Sequence, residues 1–103
     1  MEIPSNLTFI GREAFSYCNS LTTLSIDSSI SGEGAFSHCT NLTNVIIGDN
    51  VISISDYAFY AFCSSLTDVY YTGTEEDWAK ISIGSNNSYL TDATIHYNYV
   101  PEE

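Results

Sequence analysis

Basic residues are nearly absent from this chain of 103 residues. Only Arg12 and Lys80 oppose 13 Asp and Glu residues, which gives a formal net charge of −11. Proteins that bind nucleic acid or an anionic membrane surface need Lys and Arg to neutralise phosphate groups. The composition therefore argues against both partners, and the acidity is typical of a surface that keeps a protein soluble.

Long apolar runs are also missing. The sequence has no stretch of about 18 apolar residues, so it predicts no membrane insertion. No basic and then apolar leader precedes Ile3, so no signal peptide is predicted. Because Glu2-Ile3-Pro4-Ser5 has the composition of the middle of a repeat, we expect the chain to be a C-terminal piece of a longer protein.

Closely spaced cysteine pairs are a third absence. Cys18, Cys39 and Cys63 lie 21 and 24 residues apart, whereas zinc sites use clusters such as Cys-x-x-Cys. One cysteine at each repeat of the sequence favours a column of buried thiols that pack as small apolar groups. A disulfide between adjacent units is the alternative.

A phrase that occurs three times dominates what is present. Each copy has an Ala-Phe pair, then a Cys, a Leu and two apolar residues spaced two apart. The copies are Ala14-Phe15, Cys18, Leu21, Leu24, Ile26; Ala35-Phe36, Cys39, Leu42, Val45, Ile47; and Ala58-Phe59, Cys63, Leu66, Val69, Tyr71. Units of this length bury their apolar sides only by stacking, so the phrase predicts a solenoid.

Each unit is predicted to contain a strand, a corner, a second strand and a helical turn. The spacing of Leu24 and Ile26 is that of a half-buried strand. The Ala-Phe pair followed by a small Cys predicts the helical turn, and the extra residue in the third unit predicts a bulge at Ala61-Phe62. The second strands are predicted at Phe9-Ile10-Gly11, Ile30-Ser31-Gly32 and Ile52-Ser53-Ile54.

The tail predicts a degenerate fourth unit. The strand spacing of the third copy recurs 24 residues later, at Leu90, Ala93 and Ile95. The Ala-Phe pair and the Cys are replaced by a segment that predicts a capping helix with Thr74 as its N-cap and an acidic first turn. Trp78 and Ile81 would share the helix face that covers the end of the core.

The segment from Ile10 to Ile26, with its Ile-Gly, Ala-Phe, Cys and Leu positions, resembles the leucine-rich repeat of the BspA-like family of surface proteins. The likeness covers about Ile3 to Tyr71, and the segments Val69–Trp78 and Ala93–Tyr97 look like the cap of bacterial members. The resemblance implies a mainly β, right-handed leucine-rich-repeat solenoid of about four coils, with short parallel strands, helical turns and a C-terminal capping helix. Ser31 departs from the family pattern, which has an aliphatic residue there, and predicts slightly loose packing.

We therefore divide the chain into three parts. Residues 1–72 are expected to form three leucine-rich repeats, the first truncated at its N-terminal side. Residues 73–100 would form the fourth coil and cap, and 101–103 a frayed tail. The truncated start leaves an open strand edge that could pair between chains.

The resemblance implies a non-enzymatic protein-binding or adhesion module, extracellular or at the cell surface, with a host or extracellular-matrix protein as partner. The alternative is a structural cap or spacer of a longer solenoid that binds nothing itself. Ile46 beside Tyr70 would form the apolar centre of a contact, although solvated sheets favour such residues too. The full candidate set from the outward strand columns is Asn44, Ile46, Asp68, Tyr70, Asp92, Thr94 and His96.

No residue set indicates catalysis, so we predict no enzyme and no cofactor. His38 has no regular nucleophile beside it, and His96 with Asp92 lacks a third metal ligand. The side chains of Glu75-Glu76-Asp77 diverge around a helix and do not converge on calcium. Asn86-Asn87-Ser88 matches the glycosylation acceptor pattern, which carries no meaning in a bacterial product.

Overall fold

The structure, a computed structural model, describes residues 2–3, 10–60 and 63–100. The bulge predicted at Ala61-Phe62 and the tail at 101–103 lie outside the described residues. In chain order the elements are β1 Glu2–Ile3, β2 Thr23–Ile26, β3 Asn44–Ile47, β4 Ser53–Ile54, β5 Asp68–Tyr71, α1 Glu75–Trp78, β6 Ser82–Ile83, α2 Ser88–Thr91 and β7 Thr94–His96.

The alternating residues of the repeated phrase form parallel strands, as predicted. The principal sheet has the order β1-β2-β3-β5-β7. Leu24 pairs with Val45, and Val45 pairs with Val69, so equivalent residues of successive repeats lie side by side. All three side chains are fully buried. β1 stands at one end of this order, and its pairing with a second chain stays a prediction.

The predicted register of the last strand is wrong by two residues. We expected Val69 beside Ala93, but Val69 pairs with Ile95. The cause is α2, because its helical backbone bonds continue past the buried Leu90 to Asp92. The start of β7 is delayed accordingly, and each of its residues faces a different partner from the predicted one.

A second column of backbone pairing follows the corners, but of the three predicted strands only Ile52-Ser53-Ile54 forms one, as β4. Ile10 and Gly11 lie outside any strand, and Phe9 lies outside the described residues. β4 pairs with β6 in parallel, and Ile30 forms a bridge with Ile54. The Ser31 hydroxyl accepts a hydrogen bond from the Ile10 N–H at 3.0 Å and donates one to the Ile10 carbonyl at 3.1 Å. This side chain therefore links two units, and its neighbour Ile30 is buried, while the looser packing predicted for this coil stays a prediction.

The Ala-Phe segments are hydrogen-bonded turns and not the predicted helical turns. The residue before each Ala has left-handed backbone, with φ of 55° at Glu13, 69° at Gly34 and 61° at Tyr57, which interrupts a helix. The N–H groups of these turns bond to the next unit, as Phe36 does to the Ala58 carbonyl at 2.8 Å.

Within the described ranges, no helix has the length and apolarity needed to cross a membrane.

Phenylalanine rings and thiols stack through the core behind these turns. The ring of Phe36 lies 5.3 Å from that of Phe15 and 5.5 Å from that of Phe59, with nearly parallel planes. Cys39 and Cys63 are fully buried, and each thiol donates to a Phe carbonyl of the preceding unit. All three cysteines are free thiols with no disulfide between them, but the predicted burial is confirmed only for Cys39 and Cys63, because Cys18 is half-buried. Burial raises the pKa of Cys39 to about 11.

Candidate functional site

The candidate contact surface is the outward side of the principal sheet. Successive side chains of a strand point to opposite faces of the sheet. Val45 and Val69 are buried, and the residues next to each of them in its strand therefore point away from the core. We name as the strand face the six predicted residues that lie on these strands: Asn44, Ile46, Asp68, Tyr70, Thr94 and His96. The seventh, Asp92, lies at the C-terminal end of α2, so its predicted place in the strand column is wrong.

An apolar and aromatic row crosses the strand face. Ile46 pairs with Tyr70, as predicted. Tyr70 lies beside His96 and not beside Thr94, because β7 is shifted by two residues. The rings of Tyr70 and His96 stack with centroids 4.6 Å apart and planes at 12°, and the ring of Tyr99 lies 5.0 Å from that of Tyr70. We name Ile46, Tyr70, His96 and Tyr99 the aromatic row.

Asp68 holds the histidine of this row in place. Its Oδ1 lies 2.9 Å from His96 Nε2, and its Oδ2 accepts a hydrogen bond from the Thr67 hydroxyl at 2.8 Å. The hydrogen bond with His96, and secondly the one from Thr67, lower the pKa of Asp68 below its ordinary value. The carboxylate therefore remains charged and fixes the imidazole against the Tyr70 ring.

This surface offers stacked rings and polar side chains for non-covalent contact. His96 Nε2 contacts Asp68, whereas Asp92, considered above as its metal-binding partner on the same strand, lies at the end of α2. Among residues 10–60 and 63–100, no three or more His, Cys, Asp or Glu side chains group as a metal site. Rings already stacked on neighbouring strands lose little conformational freedom when a partner binds. The rings of the row are thus held against one another without a partner.

The other candidates from the sequence occupy surface positions. His38 stacks on Tyr17 with centroids 4.3 Å apart, and its Nδ1 lies 3.4 Å from the Ser37 Oγ, which is long for proton transfer. Thr74 is the N-cap of α1, as predicted, and its hydroxyl accepts from the Asp77 N–H at 3.1 Å. The acidic first turn of α1 is exposed to solvent.

Sequence reasoning missed the role of Asn87. Its side chain is only 3% exposed. Oδ1 accepts from the Phe59 N–H at 2.9 Å, and Nδ2 donates to the carbonyls of Ser55 and Gly84, both at 3.0 Å. The amide takes the place that an Ala carbonyl has in the earlier turns. The signal for this role was present in the sequence, because Asn87-x-x-Leu90 repeats the Cys-x-x-Leu spacing and so places Asn87 at the core position of the cysteines. A polar residue at a core position needs hydrogen-bond partners.

A cleft among the turns was also missed. The residue before each Ala-Phe pair differs between repeats. An alignment of the three repeats places an acidic residue, a glycine without a side chain and an aromatic residue at this one position, and this difference is the signal that could have revealed the cleft. The cleft has a volume of about 180 Å³. Its lining residues are Glu13, Glu33, Gly34, Ser37, His38, Tyr57 and Tyr60.

The repeat is shared with a known family. Residues 1–91 match a family model described as BspA type leucine-rich repeat region (6 copies). No curated protein and no solved structure matches the chain significantly. The match covers most of the sequence, and the parallel pairing of equivalent residues is the architecture that such repeats form by stacking. The chain therefore belongs to the BspA-type leucine-rich repeat family.

Proposed function

We propose that the chain is a non-enzymatic protein-binding module of a cell-surface or secreted leucine-rich repeat protein, and that the strand face is its contact surface. The observation that carries this proposal is the aromatic row, in which Ile46, Tyr70 and His96 lie on three neighbouring strands. A few aromatic and aliphatic side chains at the centre of a surface provide most of the binding energy of protein contacts.

The surroundings of the row support the same function. Asn44, Asp68 and Thr94 form a polar column beside it. An apolar centre with a polar rim is the usual anatomy of a specific interface. Because hydrogen bonds lower the pKa of Asp68, its carboxylate favours a partner that presents donors or positive charge to this rim.

The partner we propose is a host or extracellular-matrix protein. The net charge of −11 repels nucleic acid and anionic membrane surfaces and attracts basic protein surfaces. A cell-surface or secreted location would bring the module to such a partner. An adhesive role is the form of binding that we infer for it.

We also propose that residues 1–72 are three repeats and that residues 73–100 are a fourth coil with α1 as a capping helix. The pairing of β7 with β5 supports the fourth coil. The Trp78 ring lies edge-on to the buried Tyr71, with centroids 5.2 Å apart, which supports the cap. The Asn87 side chain accepts the hydrogen bond of the Phe59 N–H, which belongs to the Ala-Phe turn of the third repeat. An end closed in this way would keep the core from water.

The test compares two threonine substitutions that preserve strand propensity. Ile46→Thr and Tyr70→Thr each remove apolar surface from the row. Binding of the full chain and its variants to a panel of purified extracellular-matrix and host-surface proteins is measured by biolayer interferometry. We expect each variant to bind its partner about tenfold or more weakly, as for residues central to an interface.

Ile52→Thr is the matched control, because Ile52 is 72% exposed and lies outside the strand face. It should leave binding unchanged. Thermal unfolding of all three variants separates loss of contact from loss of fold. Equal effects of Ile46→Thr and Ile52→Thr would contradict the proposed surface. Binding by a longer parent protein and not by this chain would favour the spacer role.

A further inference from the structure

The cleft among the turns is formed by one missing side chain. Glu13, Gly34 and Tyr57 hold the same position in three successive repeats, each with left-handed backbone. Backbone bonds join these positions to the following unit, from Glu13 N–H to the Glu33 carbonyl at 2.9 Å and from Gly34 N–H to the Asp56 carbonyl at 3.2 Å. Gly34 therefore leaves a gap between a carboxylate and an aromatic ring.

The size of this gap decides what it can hold. Pockets for drug-sized ligands have volumes of roughly 300 to 1,000 Å³, whereas this cleft has about 180 Å³. It is large enough for a single side chain and too small for most organic ligands. A Cβ atom placed on Gly34 would lie 3.2 Å from the Glu13 Cγ, so even a short side chain there would enter the space.

The walls of the cleft match a planar cation. Tyr57 and Tyr60 meet edge to face, with centroids 4.9 Å apart and planes at 89°, and both rings are exposed. A guanidinium group stacks on such rings and pairs with carboxylates through its fixed fork of donors. Glu13 and Glu33 place two exposed carboxylates in the same lining.

The chain itself contains a precedent for this pairing. The Arg12 Nη2 lies 3.8 Å from the Glu33 Oε1, and both side chains are largely exposed. Arg12 is one of only two basic residues against 13 acidic ones. An arginine from outside would meet an excess of negative charge and compete with Arg12 for Glu33.

We propose that this cleft is a second interaction site, which receives one arginine side chain from a basic segment of a partner protein. The guanidinium stacks on the ring of Tyr57 or Tyr60 and pairs with Glu33 and Glu13. This site is made of turn residues and does not depend on the strand face. The residues that contact the arginine are then those that differ between repeats, and not the core residues that the repeats share.

The experiment titrates the ¹⁵N-labelled chain with the capped pentapeptide Ser-Gly-Arg-Gly-Ser and follows amide shifts by NMR. The same peptide with citrulline, which is uncharged and nearly isosteric with arginine, is the ligand control. We expect saturable shifts at Gly34, Tyr57 and Tyr60 with the arginine peptide and none with citrulline. Tyr60→Leu and Glu33→Gln should each weaken binding roughly two- to fivefold.

Two pairs of matched variants separate this site from general attraction to an acidic protein. Arg12→Ala and Lys80→Ala change the net charge equally, but only Arg12 contacts Glu33, so only Arg12→Ala should strengthen binding clearly. Tyr89→Leu removes an exposed ring elsewhere and should have no effect. Gly34→Asn, a residue that tolerates left-handed backbone, should fill the cleft and abolish the shifts.

Several outcomes would overturn the proposal. They are shifts that map to the acidic turn of α1, equal binding of the citrulline peptide, or equal effects of Arg12→Ala and Lys80→Ala. Tyr70→Thr should leave arginine binding intact, so failure of the strand face as a contact surface is distinguishable from failure of this site. Dispersion of each variant's spectrum reports whether its fold is preserved.

Discussion

Replacing Asn87 by alanine should destabilise the protein more than the same replacement of any other asparagine that the structure describes. The side chain is nearly fully buried and makes three hydrogen bonds to backbone groups. The Phe59 N–H would lose its acceptor inside the core, and an unsatisfied buried group costs about 1–3 kcal/mol. Two carbonyls would lose a donor, each at about 0.5–1.5 kcal/mol where water cannot replace it.

We therefore expect a loss of about 2–6 kcal/mol in the free energy of unfolding. This is a large share of the roughly 5–15 kcal/mol that stabilises a typical domain. Urea unfolding followed by circular dichroism measures the change. Asn41→Ala is the control, because Asn41 is exposed and its hydrogen bond to the Asn19 carbonyl is at the surface. The control should change stability by less than about 0.5 kcal/mol.

Asn87→Asp tests which part of the amide matters. The aspartate keeps an acceptor for the Phe59 N–H but turns an oxygen toward the carbonyls of Ser55 and Gly84. Repulsion there disfavours the charged form and raises the carboxyl pKa in the folded state. Its deficit relative to the native chain should consequently grow as pH rises above about 4 and shrink below it. A cost of Asn87→Ala near that of Asn41→Ala would refute the whole account.

Three further predictions concern the thiols and the end of the core. Cys18, which is half-buried, should react with a thiol reagent at pH 8 far faster than the buried Cys39 and Cys63; equal rates would contradict the packing. Because burial raises the pKa of Cys39 to about 11 from 9.0, unfolding measurements should show stability falling as pH rises from 9 toward 11. Trp78→Ala removes the edge-on contact with Tyr71, which should cost about 0.5–1.5 kcal/mol for that contact alone, and should increase light scattering on warming; unchanged scattering would count against a capping role.

The strand register of the repeats was predictable because two independent constraints coincide. Leu24 and Ile26 must both face the core, and a slip of one residue would expose them. The fixed distance from Cys to Leu to strand then aligns β2, β3 and β5. The pairing of Ile46 with Tyr70, the centre of the candidate surface, follows from that alignment alone.

The register of β7 could not be predicted because the tail satisfies two alignments equally well. Ala93 and Ile95 fit the repeat spacing, but a helical stretch around Leu90 also buries that leucine and lets the strand begin later. In the observed alignment the side chain of the buried Asn87 bonds to three backbone groups. Two of these groups belong to Phe59 and Ser55, which are distant in sequence, so local patterns contain no information about them.

The conformation of the turns was mispredicted for a related reason. Glu13 and Tyr57 adopt left-handed backbone that such residues rarely prefer. Bonds to the neighbouring unit compensate, since the Glu13 N–H reaches the Glu33 carbonyl and the Tyr57 N–H reaches the Ser85 carbonyl, both at 2.9 Å. A single unit would have no reason to adopt this turn. The stack as a whole imposes it.

This imposed backbone explains how one repeat can create two different surfaces. Since stacking fixes the backbone at equivalent positions, a side chain can change from Glu13 to Gly34 to Tyr57 while the turn is kept, and the missing side chain becomes a cleft. On the sheet the same rule places Ile46, Tyr70 and His96 in one row. Residues that recur, such as Phe36 and Cys39, are buried and cannot contact a partner. The recognition proposed for this protein therefore depends on the positions at which its repeats differ.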